Sequence, residues 1–262
     1  MKSTLQNSIV SVLLLLGLSL TTISAQQADK KSQELLDALI KLNGGYEHLA
    51  SKKDVEFTYV YEVLGKGKDV SLERYIFNGE HSWAKYEQHE RHVLPKHKGI
   101  AIQSSVNGVS KITLDGKEIK DPNEVKWTIF LRKVNFYWFS MMHKLMDPGT
   151  VYKYLGTEKV NGITYDKVSL KYESSVTKKK YNDEFILYFN PKTHLIDEFY
   201  FTIAEFGFTK PEMRMTVTYN KLDGLYIPTE RKSYHENGKV KGIYTFKDIK
   251  FNNGFKAENF KI

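Results

Sequence analysis

The sequence predicts a mainly β (α+β) fold, an antiparallel sheet that twists and curls and carries helices. Three observations predict it. From Val55 to Val63 the chain alternates, with Val55, Phe57, Tyr59, Tyr61 and Val63 set against Glu56, Thr58, Val60 and Glu62, the period-two pattern of a half-buried strand. Asn78-Gly79, Asn107-Gly108, Asp115-Gly116, Asn161-Gly162, Asp223-Gly224 and Asn237-Gly238 each separate two β-rich runs, and such pairs tolerate the positive φ that tight hairpins require. Between Asp121-Pro122 and Asp147-Pro148-Gly149 the period changes to three or four.

The first element is a leader. Lys2 precedes an apolar run from Ile9 to Leu20, and Ala25 is a small residue suited to signal-peptidase cleavage. The run is shorter than the roughly 20 apolar residues that span a bilayer, so residues 1–25 are expected to be a signal peptide and residues 26–262 a single exported domain. The chain has no cysteine. There is therefore no thiol to acylate as a lipoprotein and no disulfide, and burial and sheet hydrogen bonds must hold the fold. Its 17 Tyr, 15 Phe and 3 Trp supply the large rings such a core needs.

After the leader, Ser32 is positioned to cap a helix carrying Leu35, Leu36, Leu39, Ile40 and Leu42 at helical spacing, which Asn43-Gly44-Gly45 ends. A short helical turn follows over residues 46–50. Beyond the strand at 55–63, further strands are expected at 72–77, 82–89, 100–106, 109–114, 151–158, 163–172, 184–189, 195–203, 213–220, 226–234 and 240–251. Consecutive hairpins pair neighbours in order. The segment over 122–148 places Trp127, Phe130, Leu131, Val134, Trp138, Met141, Met142 and Leu145 at helical spacing, which predicts one or two helices. Lys126, Arg132, Lys133 and Lys144 rule it out as a membrane span. Its middle, residues 136–142, is apolar on nearly every side, as in a helix buried between layers. Its rings and methionines suit either a filled core or the wall of an apolar cavity.

Catalytic signatures are missing. There is no G-x-S-x-G elbow, no cysteine nucleophile, no glycine-rich phosphate cradle, and His89-Glu90-Arg91-His92 has the wrong spacing for a zinc peptidase. His81, His89, His92 and His97 read as surface histidines, because His89 and His92 have opposite parity on a strand. No catalytic residue, metal or cofactor is expected. The formal charge of +8 is scattered rather than massed, and in an exported protein it points to envelope surfaces, not nucleic acid.

Four signatures then follow one another over the last hundred or so residues. They are Gly156-Thr157-Glu158-Lys159-Val160-Asn161-Gly162-Ile163-Thr164-Tyr165-Asp166-Lys167-Val168-Ser169-Leu170, Tyr188-Phe189-Asn190-Pro191-Lys192-Thr193-His194-Leu195, Gly224-Leu225-Tyr226-Ile227-Pro228-Thr229, and Tyr244-Thr245-Phe246-Lys247-Asp248-Ile249-Lys250-Phe251-Asn252-Asn253-Gly254-Phe255. The succession resembles the lipoprotein-carrier superfamily of LolA and LolB and the outer-membrane lipoprotein-sorting-like proteins around it. The whole mature chain resembles an uncharacterised family of exported proteins from Gram-negative bacteria. The resemblance implies an unclosed barrel of about eleven antiparallel strands covered by helices, with an apolar cavity for acyl chains. A non-enzymatic periplasmic lipid or lipoprotein-acyl carrier is the function this implies, with transient membrane or envelope-protein contact. Trp127, Phe130, Trp138, Met141, Met142 and Trp83 are the expected lining. The alternatives are an envelope interaction module with a filled interior, docking a protein or acidic glycan, and a hydrolase whose carboxylates carry no fixed spacing.

Overall fold

A computed structural model describes residues 26–262; the expected leader, residues 1–25, lies outside the described residues. In chain order the elements are β1 (Gln27–Ala28), α1 (Lys30–Asn43), α2 (Gly45–Ala50), β2 (Asp54–Val63), β3 (Gly67–Ile76), β4 (His81–His89), β5 (Ala101–Val106), β6 (Val109–Leu114) and β7 (Lys117–Glu118). Then follow α3 (Pro122–Ser140), β8 (Thr150–Val160), β9 (Ile163–Tyr172), α4 (Ser174–Thr177), β10 (Phe185–Phe189), β11 (Ile196–Ile203), β12 (Phe208–Leu222), β13 (Leu225–Tyr234) and β14 (Val240–Phe251).

Four of the six turn dipeptides act as expected. Asn107-Gly108, Asp115-Gly116, Asn161-Gly162 and Asp223-Gly224 have positive φ at both positions, the backbone twist that matches paired strands. At the β3–β4 turn the two positive angles fall one residue later, on Gly79 and Glu80, and in Asn237-Gly238 only the glycine is positive. The cap of α1 is also displaced from the sequence reading. Asp29, not Ser32, is the N-cap, its carboxylate accepting from the Ser32 backbone N–H at 2.9 Å. The other carboxylate oxygen accepts from the backbone of Tyr154 on β8, so tertiary pairing selects Asp29. Gly44 ends the helix in the left-handed conformation at φ 73°.

The fourteen strands of the described residues form one sheet, in the order β1-β8-β9-β10-β11-β12-β13-β14-β2-β3-β4-β5-β6-β7. The expected strands are present, and two two-residue strands, β1 and β7, bring the count above the eleven or so that the family resemblance implies. Every pairing is antiparallel except β1 with β8. Two meanders, β2 to β7 and β8 to β14, are joined where β14 pairs with β2. The sheet is open, because its edge strands β1 and β7 do not pair.

That strand order dictates where α3 must lie. It leaves β7 at one edge and delivers the chain to β8 near the other, so it crosses the face of the sheet. Asp121 caps it, accepting from the backbone of Asn123 and Glu124, and Pro122 occupies the first turn, where a missing N–H costs nothing. Arg132 reaches Glu73 on β3, whereas Trp138, roughly 9 Å further along the helix, packs on Phe199 and Phe201 of β11 at 5.9 and 5.4 Å. In a flat sheet β3 and β11 would be roughly 24 Å apart. The sheet closes that gap by curling around α3.

The apolar middle of the 122–148 segment divides. Phe136, Phe139, Met141 and Met142 enter the main core, where Phe139 stacks on Phe57 at 4.8 Å and Phe136 meets Tyr75 at 5.2 Å. Tyr137 and Trp138 turn towards the cavity described below. A second core cluster, built on Ala84, Tyr86, Ala101, Ile112 and Leu131, sits under the first half of α3. α3 ends at Ser140, and a 3-10 turn, Met141–His143, carries the chain on.

The C-terminal segment is tied to the outside of the sheet. Asp54, nearly buried, accepts from the backbone N–H groups of Asn253 (2.7 Å), Gly254 (2.9 Å) and Phe255 (3.1 Å) and from the Asn253 amide. Hydrogen bonds to a charged group contribute about 1.5–3 kcal/mol each. Asp54→Ala is therefore expected to lower stability by at least about 2 kcal/mol and to open residues 252–262 to limited proteolysis. An unchanged cleavage pattern would contradict this anchoring role.

Candidate functional site

The inward stripe of α3 consists of Trp127, Phe130, Leu131, Val134, Tyr137 and Trp138, three or four residues apart and therefore on one helical face. Opposite it stand the inward positions of the curled sheet. Tyr59, Tyr61 and Val63 come from β2, Phe201 and Ile203 from β11, Met213 and Met215 from β12, and Tyr244 from β14. Together they enclose a cavity of about 330 Å³ between the helix and the sheet, at the lower end of the ~300–1,000 Å³ of small-molecule sites. The cavity has a rim: Phe206 and Lys241 are exposed, and Phe206 leans edge-on against Phe130 at 5.1 Å and Trp127 at 5.8 Å.

Polar groups in the wall are mostly engaged in holding the frame. Asp69 accepts from the backbone N–H groups of Arg91 and His92 at 2.7 and 2.9 Å, and lies 3.5 Å from the His92 ring. The Trp127 indole N–H donates to the His92 carbonyl at 2.6 Å, and the two rings stack at 5.9 Å. Ser71 gives its proton to Glu73 at 2.8 Å, not to His92. Burial pushes the Tyr59 hydroxyl up to about 12, so it is a proton donor at any ordinary pH.

The fully buried Arg132–Glu73 pair anchors α3 to the floor of this space. Arg132 donates to both carboxylate oxygens of Glu73 (2.6 and 3.2 Å), to the Tyr86 hydroxyl (2.6 Å) and to the Gln103 amide oxygen (3.2 Å). Glu73 also accepts from Tyr75 and Asn135. Burial disfavours the guanidinium charge, but the Glu73 carboxylate outweighs it and holds Arg132 above its ordinary range.

Of the six lining residues expected from the sequence, Trp127, Phe130 and Trp138 line the cavity. Met141 and Met142 do not: they lie in the 3-10 turn after α3 and fill the core. Trp83 has the opposite parity to the cavity-lining Tyr86 on β4, and is packed under the Arg74 guanidinium at 4.9 Å, away from the helix. The methionines of the wall are Met213 and Met215 instead. Alternation along β2 and β12 could have identified Tyr59, Tyr61, Met213 and Met215, since they share parity with core positions.

Among the described residues no group of three or more His, Asp or Glu side chains is placed to hold a metal ion. His89, expected on the surface, is buried and sits between the carbonyls of Leu94 (3.3 Å) and Gly99 (3.0 Å). Among the described residues no helix is long and apolar enough to cross a membrane.

Comparison with solved structures gives the fold a wider context. A DUF1329 family protein from Desulfovibrio piger is similar at TM-score 0.53 and 11% identity, over 87% of this chain and 96% of that one. A LolA superfamily protein from Nitrosomonas europaea is similar at TM-score 0.51 and 11% identity, over 88% of this chain and 97% of that one. At such identities the likeness is one of fold, and the chain has the open, helix-covered β-barrel of the LolA type. No curated protein matches it. The family model that does match, over residues 10–248, is that of a family of unknown function, DUF6503, and the chain belongs to that family.

Proposed function

We propose that this chain is a non-enzymatic binding or carrier protein of the periplasm, which holds a lipid or lipoprotein acyl group in the cavity beneath α3. In this reading residues 1–25 direct export, residues 26–262 act as one LolA-like domain, and Trp127, Phe130 and Trp138 contact the ligand. The observation that carries the reading is the cavity itself, about 330 Å³ with a wall mostly of rings and aliphatic side chains. Moving a methylene out of water contributes about 0.8 kcal/mol, so even part of an acyl chain is a substantial ligand. Exposed Phe206 at the rim suits transient contact with a membrane surface.

The polar groups favour binding over chemistry. Among the described residues no serine–histidine hydrogen bond forms in the wall, and Asp147, whose carboxyl burial holds above its ordinary range, lies outside the cavity. Protein purified from its native host is expected to release an acyl lipid on solvent extraction, detected by mass spectrometry. Val134→Trp, which fills the cavity from the helix side, is expected to weaken binding of the apolar probe N-phenyl-1-naphthylamine at least tenfold. A lipid-free protein whose Val134→Trp variant takes up the probe as well as the parent would sink the proposal.

A further inference from the structure

The two buried guanidinium groups among the described residues are treated in opposite ways. Arg132 has every edge engaged, by Glu73, Tyr86 and Gln103. Arg231 on β13 is only 2% exposed, yet its single hydrogen bond runs from Nη2 to the Tyr59 hydroxyl at 3.3 Å, while Nε and Nη1 have no acceptor. Trp138 covers it at 4.8 Å and Phe246 at 5.1 Å. Among the described residues no carboxylate is hydrogen-bonded to it or paired with it. An arginine stays protonated in proteins, and a buried charge without a counter-charge is among the costliest arrangements a fold can hold.

Arg231 does not itself line the cavity but lies directly behind its wall. Its hydrogen-bond partner Tyr59 and its stacking partner Trp138 both line that space, as does Tyr244, its cross-strand neighbour on β14. Tyr59 accepts from Arg231 and keeps its own hydroxyl proton, for which no acceptor is present among the described residues. Tyr59 in the wall and Arg231 behind it thus hold unused donors at one place beside a largely apolar chamber.

Resting on the carrier reading above, we propose that the cavity takes a single-chain carboxylate, a long-chain fatty acid, head first. The carboxylate meets Tyr59 in the wall and reaches Arg231 behind it past the edge of the Trp138 ring, and the chain runs between α3 and the sheet towards the rim at Trp127, Phe130 and Phe206. One unpaired buried cation matches one monoanion. A phosphate would bring further charge with no second unpaired cation inside, since Arg214 is engaged by Glu198 and Lys241 stands exposed at the rim.

The test compares hexadecanoic acid with its methyl ester by titration calorimetry on the delipidated protein and on Arg231→Met. The parent is expected to bind the acid at least about tenfold more tightly than the ester, the size of a hydrogen-bonded charge contribution. Arg231→Met is expected to lose that preference while keeping its affinity for the ester. Free of ligand, it is expected to melt no lower than the parent, because an apolar side chain replaces an unpaired charge. Equal affinity of the parent for acid and ester, or a preference that survives in Arg231→Met, overturns the head-group site and leaves the carrier reading standing. Failure of the parent to bind either compound overturns both.

Discussion

Glu73→Gln is expected to destabilise the protein by about 3–5 kcal/mol, the range for breaking a buried ion pair from one side. The reason is geometric. Arg132 and Glu73 are fully buried, and the neutral amide would leave the guanidinium without a counter-charge in a site closed to water. Glu73 also organises Ser71, Tyr75 and Asn135, so the loss would spread through the floor of the cavity. For a chain of this size about 2–4 °C of melting temperature accompanies each kcal/mol, which places the fall at about 6–20 °C. Arg132→Met alone is expected to be comparably damaging, because it strands the Glu73 carboxylate. The double variant Glu73→Leu/Arg132→Met removes both charges and is expected to be more stable than either single change, with urea unfolding measuring the coupling. A Glu73→Gln protein within 1 kcal/mol of the parent would show that the pair does not anchor α3.

Acidification is expected to destabilise the protein through His143. This residue is fully buried on the 3-10 turn after α3, and neither ring nitrogen has a partner. Burial, reinforced by His48 nearby, drops its pKa from 6.5 to about 3, so the folded protein carries it neutral. Unfolded, the same ring takes up a proton near 6.5. Below that value the unfolded state binds the extra proton, so stability falls as pH falls, by up to about 1.4 kcal/mol per pH unit, until the folded pKa is reached. Above 6.5 the contribution is fully present. His143→Leu is expected to remove this slope, so that between pH 6.5 and 4.5 the variant loses about 2–3 kcal/mol less than the parent. Chemical denaturation across that window measures the difference. Parallel curves for the two proteins would show that His143 does not report on burial in this way.

How much of this could be read from the chain differs from element to element. Strands β6 and β9 begin and end where alternation places them, and the Asn-Gly and Asp-Gly turns between strands were legible because a positive-φ pair is a local requirement. The cap of α1 was not, since Asp29 and Ser32 are both competent and the choice depends on Tyr154, far away in sequence. Residues 136–142 were legible as buried but not as divided. The helix exposes Tyr137 and Trp138 to the cavity and passes Met141 and Met142 to the core because it ends at Ser140. Arg231 carried an unused signal: Leu225, Ile227 and Thr229 share its parity and are buried, so alternation alone turns it inward.

The sequence by itself determined the mainly β class, nearly all the strands, the helical insertion and the absence of familiar catalytic signatures, because hydrophobic period and turn chemistry act over a few residues. Only the tertiary structure decided that β14 joins β2, that the sheet curls round α3, and that an unpaired arginine lies behind the wall of the space left between them. A cavity is the volume that side chains from distant strands leave unfilled, so no window of the sequence contains it.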